Sequence, residues 1–203
     1  MRAWAAVLST LSTLSAIASP AMGSTYRATA EVPSHGLVLD VIVRETEGLM
    51  EVTMRGPADR WFAWGFGATS MSGTYTIVAN SGGSLGAEER KLGNHTAGVL
   101  LATQMITWES TVTGPELEVI STRELVGVTP DHYTFDLGAV ESGAPIDMIW
   151  GRGTGTTFTT HGSGNRGSTP IAFVPDKTAG VPPEGGVSWG LAKLRFERVD
   201  EVR

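Results

Sequence analysis

The sequence predicts an all-β sandwich, and three observations carry that expectation. Short segments alternate apolar and polar residues with a period of two, the signature of a half-buried strand. Clusters of Gly, Pro, Asn and Ser separate them at roughly 8–15 residue intervals, as in sandwiches rather than in βαβ units. No convincing amphipathic helix interrupts them.

Taken in order, residues 1–23 read as a cleavable export signal. Arg2 is followed by an uncharged, largely apolar stretch up to Arg27, and "AMGS" supplies small residues for a cut after Gly23. Residues 24–203 are then expected to form a single domain, secreted or periplasmic. "LVLDVIV" (37–43) is β-branched, and "LMEVTMR" (49–55) sets Met50, Val52 and Met54 against Glu51, Thr53 and Arg55. "RWFAWGFG" (60–67) is aromatic enough to be a strand buried on both faces. "GTYTIVAN" (73–80) follows, then a possible helical turn near residues 87–92. "MITWEST", "ELEVISTREL", "HYTFDLG", "IDMIWGRG" and "VSWGLAKLRFERV" complete the expected strands. Between residues 151 and 190, ten glycines and four prolines predict long loops.

Composition narrows the function. A net charge of −6, or −7 once Arg2 leaves with the signal, argues against nucleic acid or an anionic membrane as partner. No stretch beyond the signal is apolar enough to span a bilayer. The absence of cysteine removes disulfides, thiolate metal sites, iron–sulfur clusters and covalent haem attachment.

Several motifs fail on context. "GSGNRG" (162–167) matches G-x-G-x-x-G, but Pro170 denies it the helix whose N-terminus would meet a pyrophosphate. "GGSLG" (82–86) matches G-x-S-x-G without the parallel α/β sheet that a nucleophile elbow needs. It reads as a hairpin loop. "NHT" makes Asn94 a glycosylation acceptor sequence in a eukaryotic secretory route. His35, His95, His132 and His161 show no metal-ligand spacing among themselves, and Glu88–Glu89 reads as a solvated turn. Trp61, Trp64, Trp108, Trp150 and Trp189 fall in expected strands, where core packing is the default and stacking on a flat ligand the alternative.

Three blocks in order carry a resemblance. "DRWFAWGFGATSMSGTYTIVA" joins an aromatic strand to a methionine loop. "ISTRELVG" has an arginine within a later strand. "IDMIWGRGTGTTFTTHGSGNRGS" runs from an apolar strand through glycines to a histidine and an Arg-Gly pair. Together, over roughly residues 38–174, they resemble the DOMON family, and within it the haem-binding members: the cytochrome domain of cellobiose dehydrogenase and the plant auxin-responsive b-type cytochromes. The resemblance implies an immunoglobulin-like antiparallel β-sandwich holding haem b non-covalently. It implies Met71 and His161 as axial ligands to iron, presented by loops at one end of the sandwich. Thioether and imidazole together fill both axial positions and raise the reduction potential, which suits single-electron transfer.

Trp61, Phe62, Trp64, Phe66, Ile77 and Trp150 are the candidate walls. Arg166 suits a propionate, or alternatively fixes its own loop. No catalytic residue is expected, so the chain reads as an electron-transfer or ligand-binding domain rather than an enzyme. Its partner would be a redox protein or a small electron donor or acceptor. The alternative is a relative without haem that binds a carbohydrate or other small ligand.

Overall fold

The computed structural model describes residues 23–177. The expected export signal, Trp189 and the expected strand at 187–199 lie outside the described residues, apart from Gly23. The chain lays β1 (Thr25–Val32), β2 (Leu37–Arg44) and β3 (Leu49–Pro57) into a first sheet. It crosses to a second sheet for β4 (Phe62–Phe66), β5 (Tyr75–Ala79), β6 (Ala87–Lys91) and β7 (Val99–Leu100). It returns for β8 (Thr107–Thr113) and β9 (Glu116–Glu124), then passes through a short helix α1 (Leu137–Ser142). β10 (Met148–Arg152) and β11 (Arg166–Ser168) join the second sheet, and β12 (Val174–Pro175) closes the first. The sheets have orders β12-β1-β2-β3-β9-β8 and β11-β10-β4-β5-β6-β7, and every pairing is antiparallel. The protein is an all-β sandwich, and no helix among the described residues is long and apolar enough to cross a membrane.

Alternation sets the core. Leu37, Leu39, Val41 and Val43 of β2 face inward with Met50, Val52 and Met54 of β3, and all are fully buried. From the second sheet they meet Phe62, Trp64 and Phe66 of β4, Ile77 and Ala79 of β5, and Met148 of β10. Each large side chain withdrawn from water contributes about 1.5–3 kcal/mol. β4 and β5 are indeed buried on both faces. The outer face of β4 owes this to a separate cluster, in which Trp61, Ala63 and Val78 pack under Phe158.

Three local expectations are corrected. Residues 87–91 form strand β6 instead of a helical turn, because Ala79 to Tyr75 of β5 offer a ladder partner to every residue of it. Glu89 is not solvated: it points inward from β6 and is fully buried. The segment 132–138 holds no strand. Asp136 caps α1 by accepting from the Gly138 amide at 2.9 Å, and Gly143, at φ +67°, ends the helix. The "GGSLG" segment is the β5–β6 connection, carrying a 3-10 turn at Ser81–Gly83.

Candidate functional site

Several outward positions of the second sheet are small, those of β4 above all. Ala63 and Gly65 of β4 lie beside Ile149 and Gly151 of β10, with Thr76 of β5 next to them. Large side chains here would fill the space above the sheet. Instead this face is the floor of a cavity of about 880 Å³, walled by three loops. That volume falls within the about 300–1,000 Å³ of small-molecule and cofactor sites.

The first loop carries Met71. Met71-Ser72-Gly73-Thr74 closes as a β-turn, the Thr74 amide donating to the Met71 carbonyl at 3.0 Å. Gly73 has φ +72° in the third position, where a type II turn demands the left-handed region. The Gly73 amide also donates to the Leu92 carbonyl at 2.9 Å, tying the loop to the end of β6. Met71 is half-buried and lines the cavity.

The second loop, 153–165, carries His161. It is anchored at its start by reciprocal backbone bonds: Trp61 N–H to Gly155 O at 3.0 Å and Gly153 N–H to Trp61 O at 2.9 Å. A Cβ on Gly153 would come within 2.2 Å of Trp61 Nε1, so the indole seats directly against glycine backbone. Phe158 then folds back edge-on to Trp61, centroids 4.7 Å apart, with the Arg90 guanidinium 4.8 Å from its ring. His161 is half-buried, and its Nδ1 lies 2.8 Å from the Gly162 carbonyl oxygen. A carbonyl only accepts, so Nδ1 carries the hydrogen and Nε2 keeps its lone pair. Nε2 makes no hydrogen bond among the described residues. That is the tautomer of a metal-ready imidazole.

The third loop, between β6 and β7, brings His95 to the same cavity. Its φ of +56° is uncommon for a residue with a Cβ. Sequence reasoning gave His95 no part, since nothing local in "GNHTAG" marks it; only the β6–β7 fold places it there.

The cavity therefore gathers both proposed ligands, 90 positions apart, together with Trp61 and Arg166. Trp150 borders it, but its indole is on the inward face of β10, opposite Trp64 in register, and packs against the core and His35. Trp64 and Phe66 are a correction, as are Phe62 and Ile77. They project from the inward face of their strands into the inter-sheet core, away from the cavity. A run as aromatic as "WFAWGF" does not reveal its parity, and Trp61, just before β4, is the ring on the outer side. The cavity also lies over the face of the second sheet rather than between loops at one end of the sandwich. No Asp or Glu lines it, and the guanidinium of Arg166 makes no hydrogen bond or ion pair among the described residues. The loop-fixing role belongs to Arg152 instead. Its Nη2 donates to Asn165 Oδ1 at 3.1 Å and its Nη1 to the His35 carbonyl at 2.9 Å. Burial, reinforced by the like charge of Arg60, holds the Arg152 guanidinium below its ordinary pKa.

The residues present fit a haem. Thioether and imidazole are a recognised axial pair, Trp61, Ile149 and Phe158 give apolar walls, and Arg166 is available to a carboxylate. A second cavity of about 780 Å³ lies on the other side of the Met71 loop, sharing Ser72. Its buried polar side chains are already paired, Tyr75 to Glu89 and His132 to Thr129 and Thr103. No protein-family model matches this chain, and no curated protein matches it.

Proposed function

We propose that this chain is an exported, haem b-binding, single-electron transfer protein in which Met71 and His161 would hold the haem iron. The observation that carries the reading is that these two side chains line one cavity of cofactor size. When bound, the haem supplies reversible one-electron exchange at its iron. The chain's own residues do the rest. Gly162 O orients the His161 ring and leaves Nε2 as the donor. The turn at Gly73 holds Met71 at the wall. Trp61 and Phe158 exclude water from the apolar side, and Arg166 stands ready for a propionate.

The test is a titration of the purified protein with haem. The expected result is a saturable Soret band and a low-spin spectrum that sharpens on reduction. Met71→Ala and His161→Ala should each lose the low-spin form. A wild-type protein without a Soret band ends the reading, as does a low-spin spectrum indifferent to both substitutions.

A carbohydrate-binding function is favoured by a different observation: hydroxyls ring the cavity, from Thr69, Ser70, Thr96, Thr159 and Thr160. Saturable quenching of tryptophan fluorescence by a sugar, in haem-free protein, would select it.

A further inference from the structure

We propose that His35 is a positioning residue for His161, acting from the opposite sheet through the backbone of residues 162–165. In its ligand terms the proposal rests on the haem reading. Its geometry does not.

His35 ends a 3-10 turn, Pro33–His35, that joins β1 to β2. It is 129 positions from Gly164, yet its Nε2 lies 2.8 Å from the Gly164 carbonyl oxygen. The carbonyl accepts, so Nε2 carries the hydrogen. Nδ1 is left as an acceptor, and the Ser34 hydroxyl lies 2.8 Å from it. Both ring nitrogens are thus committed. The ring also sits on the indole of Trp150, with centroids 4.6 Å apart. Arg152 completes the arrangement by bridging the His35 carbonyl to the Asn165 side chain, while its own amide donates to Asn165 O at 2.9 Å.

The segment this latch holds is an exposed, glycine-rich turn. Gly162 and Gly164, at φ +70° and +81°, sit in a region closed to most residues, and residues 162–164 are exposed. Gly162 O is the group that receives the His161 Nδ1 hydrogen. The chain of influence therefore runs from His35 to Gly164, along two residues of backbone to Gly162, and into the His161 ring. Second-shell partners of this kind set a ligating imidazole's tautomer and orientation. Here the partner is a carbonyl that must itself be held, and the holder comes from the first sheet.

Two substitutions separate the hydrogen bond from the ring contact. His35→Phe keeps a ring for Trp150 and removes the donor. His35→Gln removes the ring and returns an N–H close to the place of Nε2. His35→Phe should weaken haem binding by about fivefold, the worth of one net hydrogen bond. It should also broaden the reduced low-spin spectrum and shift the reduction potential, with the urea midpoint unchanged. His35→Gln should restore both readouts.

In haem-free protein, hydrogen exchange at the amides of residues 163–166 should quicken in His35→Phe, while the β2–β3 amides stay as protected as before. Wild-type affinity, spectrum and exchange in His35→Phe overturn the proposal. Failure of His35→Gln to rescue a folded protein does the same. A wild-type chain that takes no haem but still shows the faster loop exchange in His35→Phe removes the haem reading and leaves the latch standing.

Discussion

A phenol with 3 % of its surface exposed is a poor place for a charge, and Tyr75 is such a phenol. Burial pushes its pKa well above the ordinary value. Arg123, whose guanidinium lies 5.0 Å from the ring centroid, offsets part of this, and the hydrogen-bonded Glu89 carboxylate adds to it. Burial, followed by the charge of Asp136, moves Tyr133 in the same direction. The sign of the linkage follows. Below about pH 10 both folded and unfolded tyrosines hold their protons, and the contribution to stability is fully present. Above it the unfolded chain ionises while the folded chain does not, so stability falls as pH rises. Urea unfolding between about pH 9 and about pH 11 should show this fall, and Tyr75→Phe should reduce its slope by up to about 1.4 kcal/mol per pH unit. An unchanged slope in Tyr75→Phe would place the alkaline sensitivity elsewhere.

At the scale of strands, the cavity exists because Ala63 and Gly65 of β4 and Gly151 of β10 are small. Gly151 makes this testable. An added Cβ there meets the Trp61 ring at 3.6 Å and the Asn165 carbonyl oxygen at 4.0 Å, both ordinary contacts, so the backbone tolerates a side chain and the remainder must extend over the floor. Gly151→Leu should abolish ligand binding and keep the urea midpoint within about 0.5 kcal/mol of the wild type, since glycine in a strand contributes little to it. Binding at wild-type affinity would show that this cavity is not the site.

The same strands show how far the sequence was legible. "LMEVTMR" declared its inward face by alternation, and β3 has that face. "WFAWGFG" could not, because small residues and aromatics were both compatible with a buried position. Only the register against β5 and β10 assigns Trp64 to the core and Ala63 to the cavity. β6 was illegible for a related reason. "AEERK" has a buried glutamate where the pattern calls for an apolar residue, and its partner, Arg123, lies in the other sheet. The resemblance points to Met71 and His161, which line the cavity, while nothing local marks His95 or His35, whose positions come from long-range contacts.

At the scale of the whole fold, polar connections between the sheets sit on opposite flanks of the described residues. One is the His35 latch between the β1–β2 turn and the loop before β11. The other is buried. Arg123 of β9 and Glu89 of β6 are both fully inaccessible, with Nη1 3.8 Å from Oε1. Arg123 donates through Nε to Glu124 O at 2.9 Å and through Nη2 to Tyr133 O at 2.7 Å. Glu89 accepts from the Tyr75 hydroxyl and from the amides of Met105 and Ile106, which pins the segment leading into β8.

Such a pair gains little net stability over an apolar replacement, but losing one member leaves a buried charge without a counterion. Arg123→Leu should therefore destabilise the sandwich by about 3–5 kcal/mol. Adding Glu89→Gln should recover much of this. Glutamine is neutral, and its carbonyl still accepts from the Met105 and Ile106 amides, whereas Glu89→Leu would orphan them. The measurement is the urea midpoint of the single and double variants at constant m-value. A double variant no more stable than Arg123→Leu alone would mean that the guanidinium's bonds to Glu124 and Tyr133, rather than its charge opposite Glu89, carry its contribution to stability.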